Sequence, residues 1–418
     1  MSIYFTVNNI IAVLFALCYF YQIVYTVKSA RHPVKPFPKA DPKHYAILIC
    51  ARNEEAVIGL LIDSIRAQDY PRELIDVFVA ADNCDDGTAE VARSHGATVY
   101  ERSDKTHIGK GYVLNFLINS ITENCTHWDY DGFIIIDADN ILDGGFIAAI
   151  NDALGSGYRA VTSYRNSKNF GDNWLAASYA VWFLHESRTM NGARELFHLS
   201  AQVLGTGFAI RADLMRELGG WNYFTLTEDL EFTFAMTVRN ERIGYTPYAI
   251  LYDEQPTRFR ESWNQRMRWI KGYFQSYAKY GGPMLWRAVS KRAFPCYDML
   301  MSVLGASLLF VGTLVFYVIN IIREAVTGMD ISTILLYFGV FLLTTYLSLI
   351  VIGFITVWTE KPYIYAPRRT VLRYAFTFPF FLYTTLPIFL AVPFDRNIWP
   401  HIEHTRAINV EDIQRRED

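Results

Sequence analysis

Apolar residues in this chain are segregated, and that segregation limits the possible folds more than any other feature. The run 10–27 holds no charged residue and is just long enough to cross a bilayer. Three more apolar runs crowd the last third, over about 300–322, 331–358 and 374–393. Between them, residues 42–282 alternate apolar and polar segments as a globular domain does. A composition that is 51% apolar with a mean hydropathy of +0.11 agrees with that division. The chain therefore reads as an α/β domain at 42–257 inserted between membrane segments. These are an anchor at 1–28, amphipathic interfacial helices at 258–290, a transmembrane region at 299–394 and a tail at 395–418.

Charge sets the expected orientation. No basic residue precedes the first run, whereas Lys28, Arg31, Lys35, Lys39 and Lys43 follow it. That order predicts an uncleaved anchor with the following domain in the cytoplasm at the plasma membrane. Lys361, Arg368, Arg369 and Arg373 place the connector before the last apolar stretch on the same side. That stretch contains Pro379 and Pro387, so it either crosses or breaks into a re-entrant pair. The polar tail 399–406 favours the second alternative, which returns the tail to the cytoplasm. A net charge of −3 argues against nucleic acid as a partner. Cys18, Cys50, Cys84, Cys125 and Cys296 form no C-x-x-C pair and read as scattered reduced thiols.

Within the globular stretch, short apolar runs at 45–50, 75–81 and 133–136 suit buried parallel strands, each followed by a polar turn. The first two lead on into helical patterns. Ligands in such folds gather at the carboxyl ends of the strands. Those ends carry Arg52, Asp82, Asp137 and Asp139. Two aspartates one residue apart repel unless a cation lies beside them, and Mg²⁺ or Mn²⁺ prefers carboxylate and phosphate oxygens. A metal-bound diphosphate fits, although Asp-x-Asp is also common in plain solvated turns. The turn Gly109-Lys110-Gly111 can offer a cation and helix-start amides to anionic oxygens, or be an ordinary helix start. Thr227-Glu228-Asp229 begins another helical run, where acids are favoured by capping and the dipole alone. That position would also keep Asp229 ionised. Over 263–280, Trp263, Met267, Ile270, Phe274 and Tyr277 share one helical face, with Gln265, Arg268, Trp269 and Gly272 roughly opposite. Arg266 and Lys271 fall on the flanks, where long basic side chains reach lipid head groups. The helix is expected on the membrane surface with its other face to the domain.

Asp82, Asp137-x-Asp139, Thr227-Glu228-Asp229 and Gln265-x-x-Arg268-Trp269, in that order before a cluster of apolar helices, resemble the membrane-integrated family 2 glycosyltransferases. Cellulose, hyaluronan, chitin and bacterial poly-N-acetylglucosamine synthases belong there. The resemblance covers 42–280 in detail. It implies a GT-A fold and a processive, inverting transferase that polymerises a UDP-sugar, UDP-N-acetylglucosamine or UDP-glucose, into an exopolysaccharide of the kind found in biofilms. By motif, Asp82 and Asp137 bind the nucleotide and Asp139 the metal. Arg52, Lys110, Gln265 and Arg268 join the donor set. Asp229, beside Glu228, is the base, and Trp269 with Gly205-Thr206-Gly207 lines the acceptor site. Single addition to a lipid or other membrane-bound acceptor shares all of this chemistry. The chain lacks room for a C-terminal β-barrel sensor, and three or four helices would form a translocation pore only with a second copy or an export partner.

Overall fold

The structure, a computed structural model, describes residues 3–124, 130–327, 332–395 and 406–414. Cys125 and residues 399–405 of the tail, both considered above, lie outside them. Eight strands form one sheet: β1 Tyr45–Ala51, β2 Ile75–Asp82, β3 Thr98–Arg102, β4 Gly132–Asp137, β5 Ile141–Leu142, β6 Ala160–Ser167, β7 Phe208–Arg211 and β8 Ile243–Asp253. Their spatial order is β3-β2-β1-β4-β7-β6-β8-β5. The expected parallel half is there, with Tyr45 opposite Ile75 and Gly132. The rest is mixed: β7 runs antiparallel to both β4 and β6, and β8 pairs parallel with β6. The reversal of β7 has a functional result. It brings its amino end, Gly205–Gly207, to the edge where β1, β2, β4, β6 and β8 end.

Helices cover both faces of the sheet. Ile58, Leu61, Ile62 and Ile65 recur at helical spacing, and all are fully buried beneath β1 and β4. Each such side chain contributes about 1.5–3 kcal/mol by leaving water. On the other face, Leu48, Phe133 and Tyr164 share one core with Val357, Ile364, Val371, Ala375, Phe378 and Phe381 from the C-terminal apolar helices. The sheet and the apolar helices are therefore packed as one body.

Four helical stretches are long and apolar enough to cross a membrane: Asn9–Arg31, Phe294–Thr327, Ser332–Thr359 and Arg368–Phe394. Large apolar side chains such as Leu17, Phe20, Leu336 and Leu343 point outward from them, as lipid-facing residues do. The fourth stretch bends. Helix Arg368–Tyr383 gives way near Thr384 to the short helix Thr385–Ala391. Val371, near its start, lies in the core of the α/β unit, and Asp395 at its end pairs with Lys271 at 3.0 Å. Arg406 then forms an ion pair with Asp172 and donates its backbone N–H to Glu254 at 3.1 Å.

This fold-back corrects the expected orientation of helix Phe259–Ser290. Met267 and Ile270, placed above on a lipid face, are buried against Ile388. Arg266 does not reach outward. It is 1% exposed and donates to Phe381 O at 2.9 Å and Thr384 Oγ1 at 2.8 Å. Carbonyls at a helix break lack intrahelical donors, and a buried guanidinium supplies them. Lys271 is held by Asp395 instead of a head group.

Arg194 and Asp298, both 0% exposed at the side chain, pair at 2.8 Å between the α/β unit and the helix Phe294–Leu300. Asn191 accepts a further hydrogen bond from Arg194, Ser302 accepts from Arg194 and donates to Asp298, and Tyr25 of the N-terminal helix donates to Asp298. Replacing Asp298 with Ala strands a buried guanidinium, with an expected loss of about 3–5 kcal/mol. Thermal unfolding in detergent will show it as a lowered Tm, and Arg194→Met with Asp298→Leu together should recover much of the loss.

Candidate active site

The principal cavity lies along the carboxyl edge of the sheet. Its lining includes Arg52, Asp82, Asp137 and Asp139 from the strand ends and Trp182, Glu186, Tyr273 and Val303 from the helices. Lys110 lines it too. Its ammonium pairs with Asp137, donates to Gly205 O at 2.8 Å and lies 3.8 Å from Glu228. Burial opposes its charge, but Asp137 and Glu228 outweigh that, so Lys110 is held above the ordinary lysine range. The flanking glycines have separate reasons. Gly109 takes a φ of +134°, and a Cβ on Gly111 would come within 2.0 Å of Tyr223 O. Together they let Lys110 open its helix while pointing into the cavity.

The Glu228-Asp229 helix begins behind Lys110. Burial raises Asp229 above the ordinary carboxylate range, against Lys110 and the helix-start amide of Leu230. Burial likewise raises Glu228 to about 7, with Lys110 opposing and Asp229 adding to it. At Asp229 the helix start therefore works against desolvation, which is the larger effect on its carboxyl. Helix Phe259–Ser290 presses on this point through Gly272, where a Cβ would fall 2.5 Å from Thr227 Oγ1. That approach brings Gln265, Arg268 and Trp269 to the cavity wall. Arg268 donates to Leu226 O at 3.0 Å, and Trp269 meets Tyr179 and Phe183 edge-on.

Of the residues singled out in the sequence, Arg52, Asp82, Lys110, Asp137, Asp139, Gly205, Glu228, Asp229, Gln265, Arg268 and Trp269 line one cavity. Asp82 is held by Arg102 at 2.6 Å. Thr206 and Gly207 do not line it. Thr206 Oγ1 accepts from Asp137 N at 2.9 Å and donates to Asn140 at 2.6 Å. Gly207 has a φ of +65°, and a Cβ there would lie 2.0 Å from Leu251. These two residues shape the wall from behind.

Sequence reading missed Arg165, Asp253, Lys168 and Glu186. Arg165 binds Asp253, donates to Leu204 O at 2.5 Å and stacks 3.7 Å from the Phe183 ring centre. Burial would raise Asp253, but Arg165 and further hydrogen bonds outweigh it and the net shift is downward. One of those bonds comes from Asp139. Two carboxyls facing one another call for a shared proton or a cation, which fits a divalent ion beside Asp139. The described residues contain no cluster of three or more His, Cys, Asp or Glu able to hold a metal. Mg²⁺ and Mn²⁺ do not need one where substrate phosphates complete the shell. A positively charged side chain two places before the end of β6 was the only available signal for Arg165.

The mixed sheet, with acids along its carboxyl edge and a helix start aimed between them, defines a nucleotide-sugar transferase fold of the GT-A type. A family described as "Glycosyltransferase like family 2" matches residues 42–272, over half the chain. The chain belongs to that family. It is 26% identical over 318 residues to a beta-monoglucosyldiacylglycerol synthase of Trichormus variabilis, covering 70% of this chain and 65% of that one. It is 24% identical to a poly-beta-1,6-N-acetyl-D-glucosamine synthase of Staphylococcus aureus, covering 65% and 62%. The chain thus spans less than two thirds of the length of these relatives. A solved mannosyltransferase of Pyrobaculum calidifontis, in complex with GDP-mannose and Mn²⁺, has the same fold. Its TM-score is 0.57 at 18% identity, over 93% of this chain and 99% of that one.

If Asp229 takes a proton in the reaction, kcat/KM must fall as pH drops through its raised pKa. The acid limb is expected nearer neutrality than for a free carboxyl. Glu228, raised to about 7, is already protonated over most of that limb, so Glu228→Gln should leave the limb's position little changed, as a pH–rate profile of both forms will show.

Proposed function

We propose that the protein is an inverting, metal-dependent glycosyltransferase that moves a sugar from a UDP-sugar to a hydroxyl of an acceptor delivered from the membrane. The observation that carries this reading is the reach of the cavity. It is lined both by the acids of β2 and β4 and by Ser302 and Val303, which lie inside the long apolar stretch Phe294–Thr327. Asp82, Asp137 and Arg52 hold the nucleotide end. Asp139, with Asp253 behind it, would hold a Mg²⁺ or Mn²⁺ ion, which would supply charge compensation for the diphosphate. Lys110 and Arg268 stabilise the departing UDP. Asp229 accepts the proton of the attacking hydroxyl, and attack opposite the leaving group inverts the anomeric carbon.

A lipid-borne acceptor receiving one sugar is the reading this geometry favours. The last apolar stretch folds back onto the α/β unit, with Val371 in the shared core and Asp395 on Lys271, which among the described residues leaves three apolar helices free to lie across the bilayer and favours a membrane-borne acceptor. The contacts of Arg406 with Asp172 and Glu254 support a tail on the side of the α/β unit, which we take as cytoplasmic from the run of basic residues between Lys28 and Lys43. Extension of a growing glycan is the second reading. It is favoured by Trp269, an indole at the cavity wall suited to stacking a sugar ring, and by the poly-N-acetylglucosamine synthase relative.

Product mass distinguishes the two. Purified protein with UDP-glucose or UDP-N-acetylglucosamine, Mn²⁺ and micelles of a neutral glycolipid should yield lipid lengthened by one sugar, and polymer of many units would replace that reading with the second. Asp229→Asn should lower kcat about 10²–10⁴-fold with UDP affinity unchanged, measured by calorimetry. Transfer persisting at the wild-type rate would remove Asp229 from the mechanism. Chelation by EDTA should abolish transfer, and Mn²⁺ should restore it.

A further inference from the structure

Glu186 is not accounted for by the donor chemistry. It lies on the π-helical segment His185–Asn191, which continues the helix Trp174–Leu184. Such a widened turn shifts the side chains that follow it around the helix, and these turns recur at functional sites. Here it leaves Glu186 on the cavity wall with Trp182, Phe183 and Val303. Tyr273 lies close enough to feel both Glu186 and Asp229, so the two acids share one chamber. No hydrogen bond or ion pair reaches the Glu186 carboxyl among the described residues. Its nearest cation, Arg194, is saturated by Asp298, Asn191 and Ser302. Gln265, on the same cavity, has a buried Oε1 that likewise lacks a partner.

The buried Gln265 acceptor is costly without a donor, and the half-buried Glu186 carboxyl opens on the same cavity, so one ligand can supply donors to both. A molecule with neighbouring hydroxyls does so. A phosphate beside Glu186 would instead set a second negative charge against a carboxyl whose neighbouring cation, Arg194, is already held by Asp298. Arg52 and Arg268, on the same cavity, serve the donor diphosphate. We propose that Glu186 is a positioning residue that accepts a hydrogen bond from a non-reacting hydroxyl of the acceptor. It thereby restricts acceptors to neutral polyols and glycans and rejects phosphate-terminated lipids. The inference rests on the transferase reading above and names the acceptor class of that same site.

The test uses the full chain in detergent, with glycosyl transfer to a neutral glycolipid and to a polyprenyl phosphate followed separately from UDP-sugar hydrolysis. Glu186→Ala should raise KM for the neutral acceptor about tenfold, with kcat and hydrolysis unchanged. Glu186→Gln keeps a hydrogen-bonding oxygen but not the charge. It should restore the neutral-acceptor KM while admitting the phosphate. An unchanged acceptor KM in Glu186→Ala would overturn the proposal. So would an equal loss of transfer and hydrolysis, or wild-type preference for the phosphate. Should the alanine variant fail to fold, the acceptor preference of the glutamine variant alone decides. Absence of transfer by the wild type to any acceptor would sink the transferase reading and this inference together, whereas transfer indifferent to Glu186 sinks only the inference.

Discussion

A buried lysine holds the site together. Lys110 joins three parts of the chain that are far apart in sequence: the end of β4 through Asp137, the turn before β7 through Gly205, and the start of the following helix through Glu228. Without a cation there, Asp137, Glu228 and Asp229 would face one another in a space that water hardly enters. Much else in the neighbourhood serves to make that lysine possible. Gly109 and Gly111 let the backbone carry it in, and the reversed β7 brings a carbonyl to it. A fixed positive charge at the centre also offsets the carboxyls of Asp137 and Glu228 that flank it.

The divisions of the sequence that proved legible were those written in local pattern. Apolar runs ending in Asp82 and Asp137-Ala138-Asp139 announced strands with acids at their carboxyl ends, because strand burial and turn polarity are both short-range. Gln265, Arg268 and Trp269 were readable from helical spacing. The contacts that escaped were set by topology. Arg165 meets Asp253 across two paired strands, and nothing near either residue signals the other. Thr206 and Gly207 belong to a turn whose direction depends on β7 running backwards, so the facing of each residue could not be read from the turn itself. Arg266 was placed on the surface because a helical wheel knows its own faces but not what folds back onto them.

The joint between sheet and apolar helices is of two kinds. One is a shared hydrocarbon core, with Phe378 and Phe381 packed beside Tyr179 and Phe133. The other is the dry ion pair of Arg194 and Asp298, completed by Tyr25 from the opposite end of the chain. Hydrocarbon contact supplies most of the energy but tolerates sliding, whereas a hydrogen-bonded ion pair has one geometry. Ser302, which both belongs to that pair's network and lines the cavity, ties the alignment of the helices to the shape of the acceptor end.

Gly272 against Thr227 carries a consequence for how such enzymes can diversify. The absence of a side chain fixes the spacing between the long helix and the helix bearing Glu228 and Asp229, and no larger residue fits without parting them. A lineage changing its acceptor therefore cannot do so by moving the helix, since Glu228 and Asp229 would move with it. Change is confined to side chains projecting from a frame of constant dimensions. Chemistry and selectivity are thereby separable traits, one inherited in the backbone and the other free to drift along the wall.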